Sequence, residues 1–153
     1  MTQRYLEDYT DGEIIITQAY TLGRNELLDF ARAYDPQPMH INESYATTDG
    51  PFNDVIASGF QTVAIAFKLF AENGFFEGDV ALGGPGMDEV RWLAPVFAED
   101  SLTNHVTVLE ARRSRSKPDR GILRLAHDLH NQHGVSVVTC ITVSMVRCRQ
   151  SPV

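Results

Sequence analysis

Ser58-Gly59-Phe60-Gln61-Thr62-Val63-Ala64-Ile65-Ala66-Phe67-Lys68-Leu69-Phe70-Ala71-Glu72-Asn73-Gly74 is the stretch on which the fold of this chain turns. It reads as a helix with a marked start, Ser58 at the N-cap and Gln61 three residues on in the pattern of a capping box. It has a marked stop too, because Asn73-Gly74 supplies the left-handed residue that closes many helices. Between those ends Val63, Ala64, Ile65, Ala66, Phe67, Leu69, Phe70 and Ala71 leave almost no polar face. A helix apolar nearly all round is predicted to be buried rather than laid on a surface. At about 1.5 Å per residue it spans roughly 24 Å, short for a bilayer, and Lys68 interrupts it. The expectation is a core helix that the rest of the chain wraps.

The chain has room to do so. Its 153 residues, 43% hydrophobic and 22% charged, fit one globular domain over residues 1–153 with a real core. The net charge of −7 comes from residues 1–76, while the second half is balanced. An acidic chain of this kind is a poor nucleic-acid binder. Glu7, Asp8, Asp11 and Glu13 stand where a signal peptide would need apolar residues. Cys140 and Cys148 form no metal or redox pattern, and Cys140 sits in a strand-like run as a packed thiol. The expected location is the cytoplasm, with no membrane partner.

Residues 1–12 read as a polar lead-in. Glu13 to Thr21, rich in β-branched and aromatic residues, reads as a strand. From Asn25, the apolar positions Leu27, Leu28, Phe30, Ala31 and Tyr34 predict a short amphipathic helix, which stops near Tyr34 because Pro36 disfavours the α region for Asp35. Two prolines stiffen Asp35-Pro36-Gln37-Pro38-Met39-His40, which is predicted to be a rigid loop and neither helix nor central strand. Glu43 to Thr48 reads as one further helical turn, followed by turn chemistry up to Asp54.

After Gly74 the period changes to two. Gly78 to Gly86 reads as a glycine-rich connector. Strands are predicted over Met87–Val96 with Val90, Trp92 and Ala94 on one face, and over Ser101–Ala111 with Leu102, Val106 and Val108 on one side. Two more follow: Ile122–Asn131 with Leu123, Leu125 and Leu129 inward, and Val135–Arg147 with Val137, Ile141, Val143 and Met145 on one face. Four strands joined in sequence predict an antiparallel meander, and the Ser58 helix is the apolar mass long enough to cover it.

This order resembles the hot-dog fold, an α+β architecture in which an antiparallel sheet wraps a central buried helix. Tyr34-Asp35-Pro36-Gln37-Pro38-Met39-His40, followed by Ile56-Ala57-Ser58-Gly59-Phe60, resembles the MaoC-like dehydratases, the family of the R-specific enoyl-CoA hydratases. Met87-Asp88-Glu89-Val90-Arg91-Trp92 and Ser114-Arg115-Ser116-Lys117-Pro118-Asp119-Arg120-Gly121 are similar to further segments of that family. The family's Gly-Asp-x-Asn-Pro-(aliphatic)-His motif is kept at Asp35, Pro38 and His40, and departs at Tyr34 and Gln37. The resemblance implies (R)-specific hydration and dehydration of 2-enoyl-CoA and 3-hydroxyacyl-CoA, with Asp35 and His40 as the catalytic pair. It also implies a homodimer with an acyl tunnel between subunits, and coenzyme A as part of the substrate with no other cofactor.

The residue types suit that chemistry. A carboxyl with a pKa of about 3.9 is ionised at neutral pH and can hold or deprotonate water, and an imidazole near 6.5 exchanges a proton in the working range. The thioester oxygen needs donors, and the N-terminus of the Ser58 helix offers unpaired N–H groups, with Gly59 the first choice because it admits close approach. Ser58 either contacts substrate or caps the helix. A carboxylate could instead direct water to the thioester carbonyl, as in a hot-dog thioesterase, and a fold retained only for acyl-CoA binding is a non-enzymatic alternative. His127 and His130 point to opposite faces of a strand and His133 falls in a turn, so no metal site is expected. Gly83-Gly84-Pro85-Gly86 lacks the rest of a phosphate loop. Arg112, Arg113, Arg115, Lys117, Arg120 and Arg124 form the one basic cluster, suited to a solvated hairpin, a subunit contact, or coenzyme A phosphates.

Overall fold

The computed structural model describes residues 3–149. A single turn of 3-10 helix, Leu6–Asp8, precedes β1 (Ile14–Ile16), β2 (Tyr20–Thr21), α1 (Arg24–Tyr34), α2 (Pro38–Ile41), α3 (Glu43–Thr48) and α4 (Gly59–Phe70). After them come β3 (Ala81–Trp92), β4 (Ser101–Arg113), β5 (Arg120–His130) and β6 (Ser136–Arg147). The sheet is antiparallel, in the order β1-β4-β5-β6-β3, with β2 also on β4. Helix α4 lies across its inner face. This is the hot-dog arrangement.

β4, β5 and β6 form the expected meander, but β3 does not join it through β4. It pairs with β6, Trp92 opposite Val138 and Ala81 near Val146, and so forms the far edge of the sheet. The predicted glycine-rich connector belongs to this strand, whose register shifts three times between Ala81 and Arg91, with Gly83 and Glu89 at positive φ. Pro85 is tolerated because an edge strand leaves one row of N–H groups without a ladder partner. The strand ends at Trp92, so Ala94 lies beyond it.

The inward residues of β4 and β5 are those expected: Leu102, Val106, Val108, Leu123, Leu125 and Leu129 are fully or almost fully buried. β6 is out of phase with its prediction. Val138, Cys140, Thr142, Ser144 and Val146 face inward, while Ile141, Val143 and Met145 are half-buried on the outer face. The cause is an irregularity at the start of the strand: His130 pairs with Ser136 but Leu129 with Val138, so Val137 is the extra residue and the alternation slips by one. Polarity misleads here as well, since Thr142 belongs to a buried network. Asn104 Nδ2 donates to Ala66 O at 2.7 Å and to His127 Nδ1 at 2.9 Å, leaving His127 Nε2–H to meet Thr142 Oγ1 at 2.9 Å. The network ties α4 to three strands.

The predicted Glu13–Thr21 strand is split. Thr17 Oγ1 accepts from Asn104 N at 3.0 Å, so a side chain takes a ladder position and the backbone breaks between β1 and β2. The lead-in is not merely polar either, because Leu6 and Tyr9 are buried against Phe70, Val106 and Leu123. Helix α4 buries Ile65, Ala66, Leu69 and Phe70 against the sheet, each large side chain contributing about 1.5–3 kcal/mol. It is not buried all round. Phe60 is 65% exposed and Phe67 38%, and with Ala64 and Lys68 they make an outer face. The helix closes through a π-type turn, Ala71–Phe75, with Gly74 in the left-handed region as expected (φ 79°).

Candidate active site

The site begins where α1 ends. Pro36 keeps Asp35 out of helical geometry (φ −150°, ψ 67°), and Asp35 becomes the C-cap. The following segment is a rigid connection only as far as Gln37. Pro38 occupies the first position of α2, where its missing N–H costs nothing, so His40 sits on a one-turn helix rather than in the predicted loop. Proline starts this helix as firmly as it ends the previous one. Ile56 N donates to Met39 O, and Ala57 N to Val96 O at 2.8 Å, which clamps the entry to α4 between α2 and the segment after β3. Arg24 pairs with Glu43 at 2.8 Å and Asp54 at 3.1 Å, tying α1 to α3 and to the approach to α4.

These connections bring Asp35, His40, Ser58 and Gly59 together. His40 is 3% exposed. Its Nδ1 lies 2.8 Å from Ile56 O, an acceptor, so Nδ1 carries the proton and donates. Nε2 then faces Asp35 Oδ2 at 3.3 Å. The same carboxylate oxygen accepts from Ser58 Oγ at 2.6 Å, and Oδ1 accepts from Gln37 Nε2 at 2.7 Å. Burial by itself raises the Asp35 carboxyl. The Ser58 and Gln37 hydrogen bonds and the nearby His40 outweigh that, so it is held below the ordinary carboxylate value and stays ionised.

The capping box expected of Ser58 and Gln61 does not form. Ser58 takes the N-cap position, but its hydroxyl makes no cap bond and goes to Asp35. Gln61 is buried and donates to Glu26 O at 3.2 Å. The first N–H groups of α4 are thereby left without side-chain caps at the mouth of a cavity of about 640 Å³. Asp35, Gln37 and His40 form its polar side, Met39, Ile56 and Val96 much of its apolar wall. Trp92 packs over Gly59 so closely that a Cβ there would lie 2.6 Å from Trp92 Cε2. With Trp92 in this position there is no room for a Cβ at residue 59.

Two partners were not legible in the motif. Gln37, in the place where asparagine is usual, reaches Asp35 from its own position, and Trp92 reaches Gly59 from the end of β3. Only the pairing of distant segments reveals the second. Tyr34 is 75% exposed and packs on Phe30, with ring centroids 5.1 Å apart, outside the lining of the cavity that holds Asp35 and His40. Of the other histidines, His105 of β4 and His130 of β5 pack on each other, with ring centroids 4.3 Å apart. His127 is buried under α4, His130 pairs with Asp128 on the outer face at 2.9 Å, and His133 lies in a turn.

Residues 8–129 match the profile of the MaoC like domain. The chain belongs to the MaoC-like family. A protein of Bacillus subtilis, YdeM, is 37% identical over 132 residues, covering 86% of this chain and 91% of its own length. The crystal structure of the MaoC-like dehydratase from Rhodospirillum rubrum superposes with a TM-score of 0.83 at 30% identity, covering 97% of this chain and 99% of that one. The R-hydratase PhaJ1 of Pseudomonas aeruginosa shares the fold, with a TM-score of 0.72 at 23% identity over 97% of this chain and 94% of its own. The MaoC-like relationship thus reaches well beyond the Asp35–His40 motif.

Proposed function

We propose that the protein catalyses (R)-specific hydration of 2-enoyl-CoA thioesters and the reverse dehydration of 3-hydroxyacyl-CoA. The observation that carries this reading is the pairing of Asp35 Oδ2 and His40 Nε2, 3.3 Å apart at the wall of an apolar cavity. With Nδ1–H committed to Ile56 O, a neutral His40 presents a lone pair at Nε2 toward an ionised carboxylate. Two acceptors so placed repel unless a donor bridges them, and a water to one side of the pair, giving one hydrogen to each, satisfies both. As the water oxygen adds to C3, His40 Nε2 takes its proton and returns it to C2, so both parts reach the same face of the double bond. Asp35 holds the water and stabilises the imidazolium that forms between the two transfers. The Gly59 N–H, at the positive end of α4, receives the charge that builds on the thioester oxygen. Ser58 serves by holding Asp35.

The second copy that the resemblance implies has a physical motive. Along β3, the edge away from β6 is unpaired among the described residues and nearly every side chain is exposed, Met87 and Trp92 at 40% and 52%. An unpaired strand of this length is a surface that proteins cover. A two-fold homodimer joined through β3 would do so. Among the described residues no helix is long and apolar enough to cross a membrane. We assign the reaction to acyl-CoA metabolism in the cytoplasm, where free thiols such as Cys140 and Cys148 persist, with no metal or redox cofactor.

The test is to mix the purified protein with a short enoyl-CoA and follow the conjugated-thioester absorbance while titrating free thiol. Loss of absorbance without thiol is expected. Thiol release would make the protein a thioesterase, and no reaction across short, long and branched substrates with tight binding retained would make it a binding module.

A further inference from the structure

A thioester oxygen has two lone pairs, and the Gly59 N–H fills one of them. What meets the other can be read from the donors around the cavity. Of the side chains in its lining, Gln37 gives a hydrogen to Asp35, His40 gives one to Ile56 O, and Thr62 Oγ1 gives one to Gly59 O at 2.7 Å. Along the wall, Ile56 N goes to Met39 O, Ala57 N to Val96 O, and Leu93 N and Ala94 N to Val137 O. Trp92 is the side-chain donor of the lining whose N–H meets no acceptor among the described residues.

That N–H stands beside Gly59. Beyond the chain neighbours of residue 59, Trp92 Nε1 is the atom that a Cβ there would meet first, nearer than Cε2 at 2.6 Å. A Cβ lies about 2.5 Å from its own backbone nitrogen, so Trp92 Nε1 and Gly59 N are within about 5 Å of each other. Two N–H donors at that separation can both reach one oxygen at about 2.9 Å. The indole is held in place from two sides. Phe60 meets it edge-on, with ring centroids 6.0 Å apart and planes at 70°, and Leu93 N anchors the backbone after it to Val137 O at 2.9 Å.

We propose that Trp92 is a catalytic residue, its indole N–H completing an oxyanion hole with the Gly59 N–H. As the water oxygen bonds to C3, the π pair of the double bond moves through C2 onto the thioester oxygen, and both N–H groups donate to it. When C2 takes its proton from His40 the pair returns and the carbonyl re-forms. The indole donates without giving up its proton, so the proton transfers stay with His40. Trp92 is half-exposed, and a thioester lying in the cavity covers the ring and excludes the water that would weaken this bond. The proposal rests on the hydratase reading and adds to it a donor from the end of β3.

Because Trp92 is the chain's single tryptophan, growth on benzothienylalanine, in which sulfur replaces the indole N–H, alters this group alone. Relative to the tryptophan protein, kcat for a short enoyl-CoA should fall at least tenfold with KM within threefold, since the interaction grows in the transition state. The Raman carbonyl stretch of the enoyl-CoA held on Asp35→Asn should lie lower with tryptophan than with the isostere, and unfolding midpoints should match. A kcat within twofold at equal carbonyl frequency, or a change in KM alone, makes Trp92 a cover for Gly59 and overturns the proposal; hydration by both proteins then leaves the hydratase reading standing. Thiol release by both, tenfold slower in the isostere, does the reverse, because the same two donors would hold a tetrahedral oxyanion. Where neither protein turns over, the carbonyl frequency decides: a difference upholds the donor, and equality removes it.

Discussion

Replacing Asp35 by Asn tests the chemistry with little disturbance of the fold. The carboxylate accepts from Gln37 Nε2 at 2.7 Å and Ser58 Oγ at 2.6 Å, and faces His40 Nε2 at 3.3 Å. An asparagine can keep its oxygen toward Gln37 and turn its amide toward Ser58, whose hydroxyl rotates from donor to acceptor, and toward the His40 lone pair. Every group stays paired, so stability should change by no more than about 1 kcal/mol. The reaction loses its base partner. The amide donates to the nitrogen that must take the proton from water, and the negative charge that would stabilise the imidazolium is gone. General acid–base groups contribute roughly 10²–10⁴-fold, equivalent to about 3–5.5 kcal/mol of barrier. The assay is the loss of enoyl-thioester absorbance at matched protein concentration, with denaturant unfolding of both proteins alongside. A folded variant that retains kcat/KM within threefold of the unaltered protein would refute the assignment of the water to Asp35 and His40. The acid side of the stability profile provides a second reading. A carboxyl held below its ordinary value stabilises the fold above that value and ceases to do so as pH falls through the folded one. The Asn variant should lack that part of the slope.

Other outcomes follow from groups around the site. Burial pushes the His127 imidazole down from 6.5 to about 4, so the unfolded chain binds a proton between those values and the folded chain does not. Unfolding free energy should therefore fall by up to about 3 kcal/mol as pH drops from 6.5 to 4, and His127→Gln should flatten that interval in denaturant titrations. Gly59→Ala should fold, since half-exposed Trp92 can swing aside, but lose about 100-fold in kcat/KM as the approach to the Gly59 N–H closes. Trp92 is the chain's single tryptophan and lines the cavity, so coenzyme A esters should shift its emission, a response that Trp92→Phe abolishes. Cys140 and Cys148 are buried and both thiols are pushed up by that burial, so disulfide reagents at neutral pH should label them only at the rate of unfolding.

Much of the site is written locally. Pro36 ends one helix, Pro38 starts the next, and five positions of stiffened chain carry Asp35 and His40, so their proximity follows from the segment itself. The partners of that pair divide by distance. Gln37 lies within the motif and its contact with Asp35 is local, whereas Ser58 is 23 residues away and its hydroxyl has a rival use at the helix cap. The sequence permits both, and only the clamp of Ile56 and Ala57 against Met39 and Val96 turns it toward Asp35. The outer face of α4 and the apolar outer row of β6 mislead in a related way. Their hydrophobicity reads as burial within one chain, yet in a single copy the outer face of α4 is exposed and the outer row of β6 only half-buried.

The sequence by itself determined the elements that depend on neighbours along the chain. Among these are α1 with its proline stop, the turn of helix over Glu43–Thr48, the closure at Gly74, and the inward rows of β4 and β5. Tertiary structure alone decided that β3 pairs with β6 rather than β4, that one extra residue at Val137 inverts the faces of β6, and that Trp92 covers Gly59. The reason is physical. Dihedral preference and periodicity act over a few residues, whereas strand order, register and the choice between two hydrogen-bond partners are settled by contacts that exist only once the sheet has closed around the helix.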